Sequence, residues 1–348
     1  MRPGRVIFAW QKSQLHTLVF LFRDKSIAAI FFLAVLCIVA HLHFFLQPPQ
    51  VVISDDDGLF SILFGRYLAP LPVPALLLLY YGLVLLQATR FNLLLNELRM
   101  FPQTGFITAM IYTLLSAFIP QWCAITPALV ANSFVIWIFI NLSRMNNHPA
   151  PKTLLFNTGL LTGVAILCYH PASILIPAVL LALMIIRAAR ITEWLVLLIG
   201  IIVPYYLLFS ILFLTGYLRE WQRFMPECRW NLPVNHPDIF LWVRLGLLSL
   251  LLLIGVAYWL GNRGRMLMHI RKNWGVLLLM LVMLLPVPFI YKNAGLPSAF
   301  LAVVPLSGFI ANFFIYPRNK MLSNFFFLLL LAVVIHTNWL IVQKLATP

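Results

Sequence analysis

The chain has 348 residues, of which 62% are hydrophobic and only 9% charged, with a mean hydropathy of +0.96. No water-soluble domain of this length can enclose so much apolar surface, so lipid is the solvent this composition calls for. The formal net charge of +15 would suggest nucleic acid in a soluble protein. Here Lys and Arg sit in short loops between apolar runs, the signature of membrane orientation, and no nucleic-acid-binding motif accompanies them.

Residues 1–25 mix Val6, Ile7, Phe8, Trp10, Leu18, Phe20 and Phe22 with Arg and Lys. That composition suits either an interfacial helix on the cytoplasmic leaflet or a basic tail. No small-residue cleavage site follows the first apolar stretch, so the stretch is expected to be retained. A spanning helix takes about 20 apolar residues, because lipid cannot satisfy backbone polar groups. Apolar runs at 26–46, 71–89, 104–121, 124–142, 154–169, 171–187, 193–213, 239–260, 274–291, 297–316 and 321–340 predict about eleven spans. Tight turns are expected near 121–124 and 169–171. The predicted fold is an all-α polytopic membrane protein, with one transmembrane domain over 26–348 behind the 1–25 segment.

At the end of the first run, His41 and His43 are two residues apart, a spacing that turns them to different sides of a helix and argues against a shared metal. The four cysteines, Cys37, Cys123, Cys168 and Cys228, show no metal spacing and read as isolated small apolar residues. The first outer loop, 47–70, contains "SDDDGLFSILFGRYLAP". Three of the nine acidic residues of the chain, Asp55, Asp56 and Asp57, fall here. Gly58 can supply a turn. Leu59, Phe60, Ile62, Leu63 and Phe64 then predict a short amphipathic surface helix ending at Gly65 or Pro70. A carboxylate held at headgroup level can act as a general base, and adjacent ones can hold a divalent cation, with Asp55 and Asp57 as its ligands. A solvated acidic turn is the competing reading.

Farther along, "LCYHPASIL" places His170 at the tight turn between two spans, where a hydrogen-bonded structural histidine is the commoner outcome. The long outer loop, 214–238, reads "TGYLREWQRFMPECRWNLPVNHPD". Arg219, Arg223, Arg229 and His236 are interleaved there with Tyr217, Trp221, Phe224 and Trp230. The planar fork of Arg suits phosphate, and aromatic rings can stack on sugars or simply form the interfacial belt. Lys292, in "IYKNAG", is a further cation near the bilayer.

Alternating the eleven runs with the N-terminus inside places seventeen of the 24 Lys and Arg on the inner side and seven on the outer. The bias predicts a cytoplasmic N-terminus and an outward C-terminus. Asp24, Glu97 and Glu193 then lie inside, beside basic residues, whereas the other six acids fall in the two outer loops. The spans carry almost no charge near their centres, as ion-coupled transporters usually need, and no Gly/Pro-broken segment recurs in both halves. Walker, nucleophile-elbow and HExxH motifs are missing, so any chemistry must draw on an activated substrate.

A cytoplasmic N-terminus, one span, an outer loop with a tandem acidic motif before an amphipathic helix, and then many spans resembles the GT-C superfamily of integral membrane glycosyltransferases. Asp55, Asp56 and Asp57 stand where that superfamily has its acidic pair. The stretch "NTGLLTGVAILCYHPASILIPAVLLALMIIR" (157–187) resembles its Gly-rich helix pair with a polar outer turn. More narrowly, the chain looks like a multi-spanning membrane-protein family of the Bacteroidota. It departs from better-known GT-C members in its third aspartate and in showing no large C-terminal outer domain.

The resemblance implies a polyprenyl-phosphate sugar as donor, delivered in a bacterial inner membrane with the active face periplasmic. It implies Asp55 or Asp56 as the base towards an acceptor hydroxyl, with inversion at the sugar. Leaving-group phosphate would be met by Arg66 first, with Arg219, Arg223, Arg229 and Lys292 in reserve. His170 and His236 complete the polar substrate-binding candidates. Asp57 would orient the base or share a divalent cation with Asp55. No other cofactor is implied, and the acceptor stays open. Two readings from other classes stand beside this one. They are a non-catalytic subunit of an envelope secretion or glycan-assembly complex, with a membrane-protein partner, and a lipid or small-solute transporter.

Overall fold

The computed structural model describes residues 18–53, 58–59, 63–146, 151–187, 190–230, 232–233, 238–291, 294–316 and 320–346. Eleven helices of ten or more residues follow one another. They are α1 (Ile27–Ala40), α2 (Val73–Glu97), α3 (Ile107–Ser116), α4 (Pro127–Met145), α5 (Lys152–Cys168), α6 (Leu175–Ile186), α7 (Ile191–Leu214), α8 (Ile239–Asn262), α9 (Met268–Leu284), α10 (Val303–Ile315) and α11 (Lys320–Ala346). Among the described residues there is no named strand, only the isolated bridges Val51–Ile125 and Cys228–Tyr291.

Seven of these, α2, α4, α7, α8, α9, α10 with the turns before it, and α11, are long and apolar enough to cross a membrane. The chain is therefore an all-α polytopic membrane protein. α1, α3, α5 and α6 are apolar but shorter than a full span. Local sequence sets their ends. Ser26 caps α1 through its hydroxyl to Ala29 N at 3.2 Å, and α1 stops where His41 leaves the helical conformation. α3 ends at Ser116, with Ile119 before Pro120 extended as pre-proline residues tend to be, and α5 ends where Tyr169 turns extended, two residues before Pro171. Three-residue and five-residue 3-10 turns, Pro120–Trp122 and His170–Ile174, make the two tight connections.

Burial divides the helices into centre and rim. The most apolar window of the α10 segment is 89% buried and that of α4 72%, whereas those of α7 and α8 are 22% buried. All ten residues of α3 are buried as well. This centre is tied by side-chain hydrogen bonds between helices, which lipid cannot replace. Tyr112 Oη donates to Gln87 Oε1 at 2.7 Å, Gln87 Nε2 donates to Ser133 Oγ at 2.8 Å, and Asn132 Nδ2 donates to Phe300 O at 2.7 Å.

The connecting segments sort into two ends. At one end, Phe106 N donates to Phe22 O at 2.7 Å, Lys272 Nζ to Ile186 O at 2.8 Å, and Arg187 Nη1 to Met145 O at 3.2 Å. Both ion pairs among the described residues, Arg90–Glu97 and Arg187–Glu193, each at 3.5 Å, are here. At the other end, Val52 N donates to Ile125 O at 3.1 Å, Trp122 Nε1 to Leu296 O at 2.9 Å, and His43 N to Asn338 Oδ1 at 3.1 Å. Segments expected inside thus meet one another, and so do those expected outside. Of the 1–25 segment, Leu18–Phe22 forms a 3-10 turn with Val19 and Phe22 buried, and Leu18 N reaches Asn324 Oδ1 at 3.1 Å.

The Gly-rich stretch packs differently from a simple pair. α5 lies closest to α7, not to α6. A Cβ at Gly159 would stand 2.2 Å from Leu197 O, one at Gly163 2.4 Å from Ile201 O, and one at Gly200 2.5 Å from Phe156 O. Small residues four apart let two backbones touch in this way. Gly82, by contrast, faces open space on α2. Gly159→Ala should lower the thermal midpoint of the detergent-purified protein, by an overpacking cost of about 1–3 kcal/mol. Gly82→Ala should be neutral or slightly stabilising. Equal midpoints for the two variants would contradict the α5–α7 contact.

Candidate functional site

The site builds up where the expected outer loops converge. Residues 50–52 are held first: Ile125 N donates to Gln50 O at 2.9 Å and Ile125 O accepts from Val52 N. The loop is seated again at Gly58, which is buried with φ +74°. A Cβ there would lie 2.6 Å from Leu167 O and 2.9 Å from His170 Nε2, so both the backbone conformation and the space require glycine. The next residue, Leu59, packs against a small apolar cluster of Leu167, Leu208 and Phe224. The end of the aspartate loop therefore rests on the end of α5, on α7 and on the long outer loop together.

The long outer loop is fastened at a second point. Its segment at Cys228 forms an antiparallel bridge with Tyr291, and Arg229 N donates to Ile290 O at 2.9 Å. Tyr291 is buried, and its phenol oxygen accepts from Ser173 Oγ at 2.6 Å. Through this hydrogen bond Tyr291 serves as a latch between the His170 turn and the loop. Trp230 stacks on Phe289 with ring centres 6.3 Å apart. At the same end, an apolar cavity of about 240 Å³ opens between α1 and α2, lined by Ala34, Ile38, Phe44, Phe45, Leu77, Tyr81 and Leu85.

The expected site residues fare unequally. His170 is buried beneath Gly58. Arg229 and Arg219 are exposed, Arg219 on the 3-10 turn Leu218–Phe224. Arg66 is exposed too, its guanidinium 6.0 Å from the ring of its neighbour Tyr67. It lies on a π-turn, Phe64–Leu68, of which Phe64 alone is buried; Phe60, Ser61 and Ile62 of the expected surface helix lie outside the described residues. Asp55, Asp56, Asp57, His236 and Lys292, and the side chain of Arg223, lie outside the described residues. Among the described residues no group of three or more His, Cys, Asp or Glu is placed to hold a metal ion.

His41 and His43, expected on one helix, lie past its end and bond different partners. Helix α1 ends at Ala40, so helical periodicity does not apply to them. Both are buried with ring centres 6.2 Å apart. His41 Nε2 meets Tyr80 Oη at 2.9 Å, and His43 pairs with Asn338. They knit α1 to α2 and α11.

Sequence reasoning passed over Ser173, Tyr291 and Arg244. For the first two no sequence signal exists, since the partners are 118 residues apart. Arg244 did carry one, an arginine inside the apolar run "IFLWVRLGLLSLLLL".

The Cys228–Tyr291 bridge can be trapped chemically. The Arg229–Ile290 bond makes it the non-hydrogen-bonded kind of pair, with Cα atoms about 4.5 Å apart, inside the range a disulfide spans. Tyr291→Cys should therefore cross-link to the native Cys228 under mild oxidation, seen as free-thiol loss and a linked peptide by mass spectrometry. Two thiols that stay free would contradict the docking of this loop. No protein-family model matches the chain, and comparison with curated proteins and with solved structures returns no similar chain, so the site is defined by its own residues.

Proposed function

We propose that the chain is a GT-C-like membrane glycosyltransferase that moves a sugar, mannose-like in kind, from a polyprenyl-phosphate donor to an acceptor hydroxyl. One observation carries the reading. Gly58, the residue directly after the three aspartates, is seated on His170, and Leu59 beside it packs against the long loop that bears Arg219 and Arg223. The acidic and cationic segments are thus anchored at one end of the bundle. The apolar cavity between α1 and α2 at the same end supplies a lipid-lined space suited to a prenyl chain.

In this reading the four shorter helices complete eleven crossings. The end carrying seventeen Lys and Arg is cytoplasmic, the membrane is a bacterial inner membrane, and the chemistry faces the periplasm above a surface segment at 59–68. The acceptor oxygen attacks the anomeric carbon as the bond from that carbon to the phosphate oxygen breaks. An Asp55 or Asp56 carboxylate takes the hydroxyl proton, the polyprenyl phosphate leaves with the electron pair, and the anomeric configuration inverts. Fixed cations lower the barrier by meeting charge that develops on the leaving phosphate. Arg66, Arg219, Arg223, Arg229 and Lys292 are the candidate cations. A divalent cation between Asp55 and Asp57 would serve the same purpose.

The test is transfer by the purified protein from labelled polyprenyl-phosphate mannose to candidate protein, lipid and glycan acceptors. Removing the base should cost about 10²- to 10⁴-fold in rate. Asp55→Asn, Asp56→Asn and Asp57→Asn are compared singly, with insertion checked in parallel. Loss of transfer in at least one correctly inserted variant is expected. Wild-type rates in all three would end the glycosyltransferase reading.

A further inference from the structure

Arg244, the sixth residue of α8, is 4% exposed on a helix whose neighbouring Phe240, Trp242 and Val243 face outward. It makes no ion pair among the described residues. Its Nε is enclosed without a hydrogen-bond partner, and its Nη2 lies 3.4 Å from Nδ1 of His336 on α11. The fixed charges and polar groups acting on it are Asp238, six residues earlier at the N-cap, and the Cys123 thiol. A guanidinium only donates, so His336 Nδ1 must accept, which places the imidazole proton on Nε2. The Phe240 ring holds that imidazole, with centres 4.7 Å apart. The pair thus carries Arg244 Nε without a partner and a further donor in His336 Nε2–H, and among the described residues no carboxylate ion-pairs with Arg244. Such a donor set is built for an oxyanion.

Its depth is fixed by its neighbours. Thr337 bonds Phe118 O and Asn338 bonds Ala40 O, both at the end that carries the aspartate loop. Trp242 and Trp339 are 63% and 66% exposed beside them, the level at which aromatic side chains mark the lipid headgroups. The surrounding apolar surface, which includes Ile335, suits acyl groups better than water.

We propose that Arg244 and His336 form a binding site for the phosphate of an anionic membrane lipid, seated between α8 and α11. The site is separate from the glycosyl-transfer reading and stands without it.

The test uses the full chain, delipidated in detergent and titrated with phosphatidylglycerol, with a galactosyl diacylglycerol that lacks phosphate, or with inorganic phosphate. Retained lipid is counted by native mass spectrometry, and the thermal midpoint is followed. Phosphatidylglycerol alone should be retained and should raise the midpoint. Arg244→Gln should bind it about ten- to a hundredfold more weakly. Arg244→Lys keeps the charge but loses the fork, so it should fall between. His336→Gln should also weaken binding, and it keeps the test in force if Arg244→Gln fails to fold. Undiminished phosphatidylglycerol binding by the Arg244→Lys and His336→Gln variants would overturn the site. Equal stabilisation by the phosphate-free glycolipid or by inorganic phosphate would overturn its assignment to a lipid phosphate.

Discussion

There is no room for a side chain between α5 and α7, and much of the molecule depends on that. With Gly159, Gly163 and Gly200 each facing a carbonyl of the opposing helix, the two backbones meet directly and their relative height is fixed. Dispersion and close packing must supply this contact, since lipid tails leave no hydrophobic drive between helices. The end of α5 is then set, and with it Leu167 O and His170, the seat of Gly58. α7 delivers Leu208 to the cluster that receives Leu59 and Phe224. The aspartate loop and the long loop are brought together through a contact that involves no charged group.

A second constraint explains where chemistry can lie. In lipid polar groups need internal partners, and at the centre of the bundle amides and hydroxyls such as Gln87, Tyr112 and Asn132 Nδ2 bond one another and the backbone rather than ions. Both described ion pairs sit at the basic end. Six of the nine acidic residues fall in the loops expected at the opposite end, where solvent and headgroups can bear their charge. Arg244 is the exception, a charge enclosed near that end, and it is there that the structure asks for an external anion.

Much of this was legible in the sequence, because apolar run length and Lys/Arg placement are local signals. Each of the eleven runs contains a helix, and the loops grouped by charge do meet at two separate ends. Gly58 showed itself as a turn residue, although not as a residue with a carbonyl and a histidine against its α-carbon. Helix length was less legible: His41 ends α1 within an apolar run, and short helices in the interior need no full bilayer crossing. The Ser173–Tyr291 latch and the preference of α5 for α7 were hidden because they join segments distant in sequence. Arg244 was visible as an arginine inside an apolar run, and only its burial reveals the demand it makes.

The central claim is that the segments at 50–59, 167–174 and 218–230 form one site for a lipid-linked sugar. A photoreactive polyprenyl-phosphate sugar, cross-linked to the full chain in membranes and mapped by mass spectrometry, tests it most directly. The account predicts labelled peptides from those three segments, with labelling suppressed by unmodified donor. Labelling confined to other parts of the bundle, or left unchanged by competing donor, would contradict it.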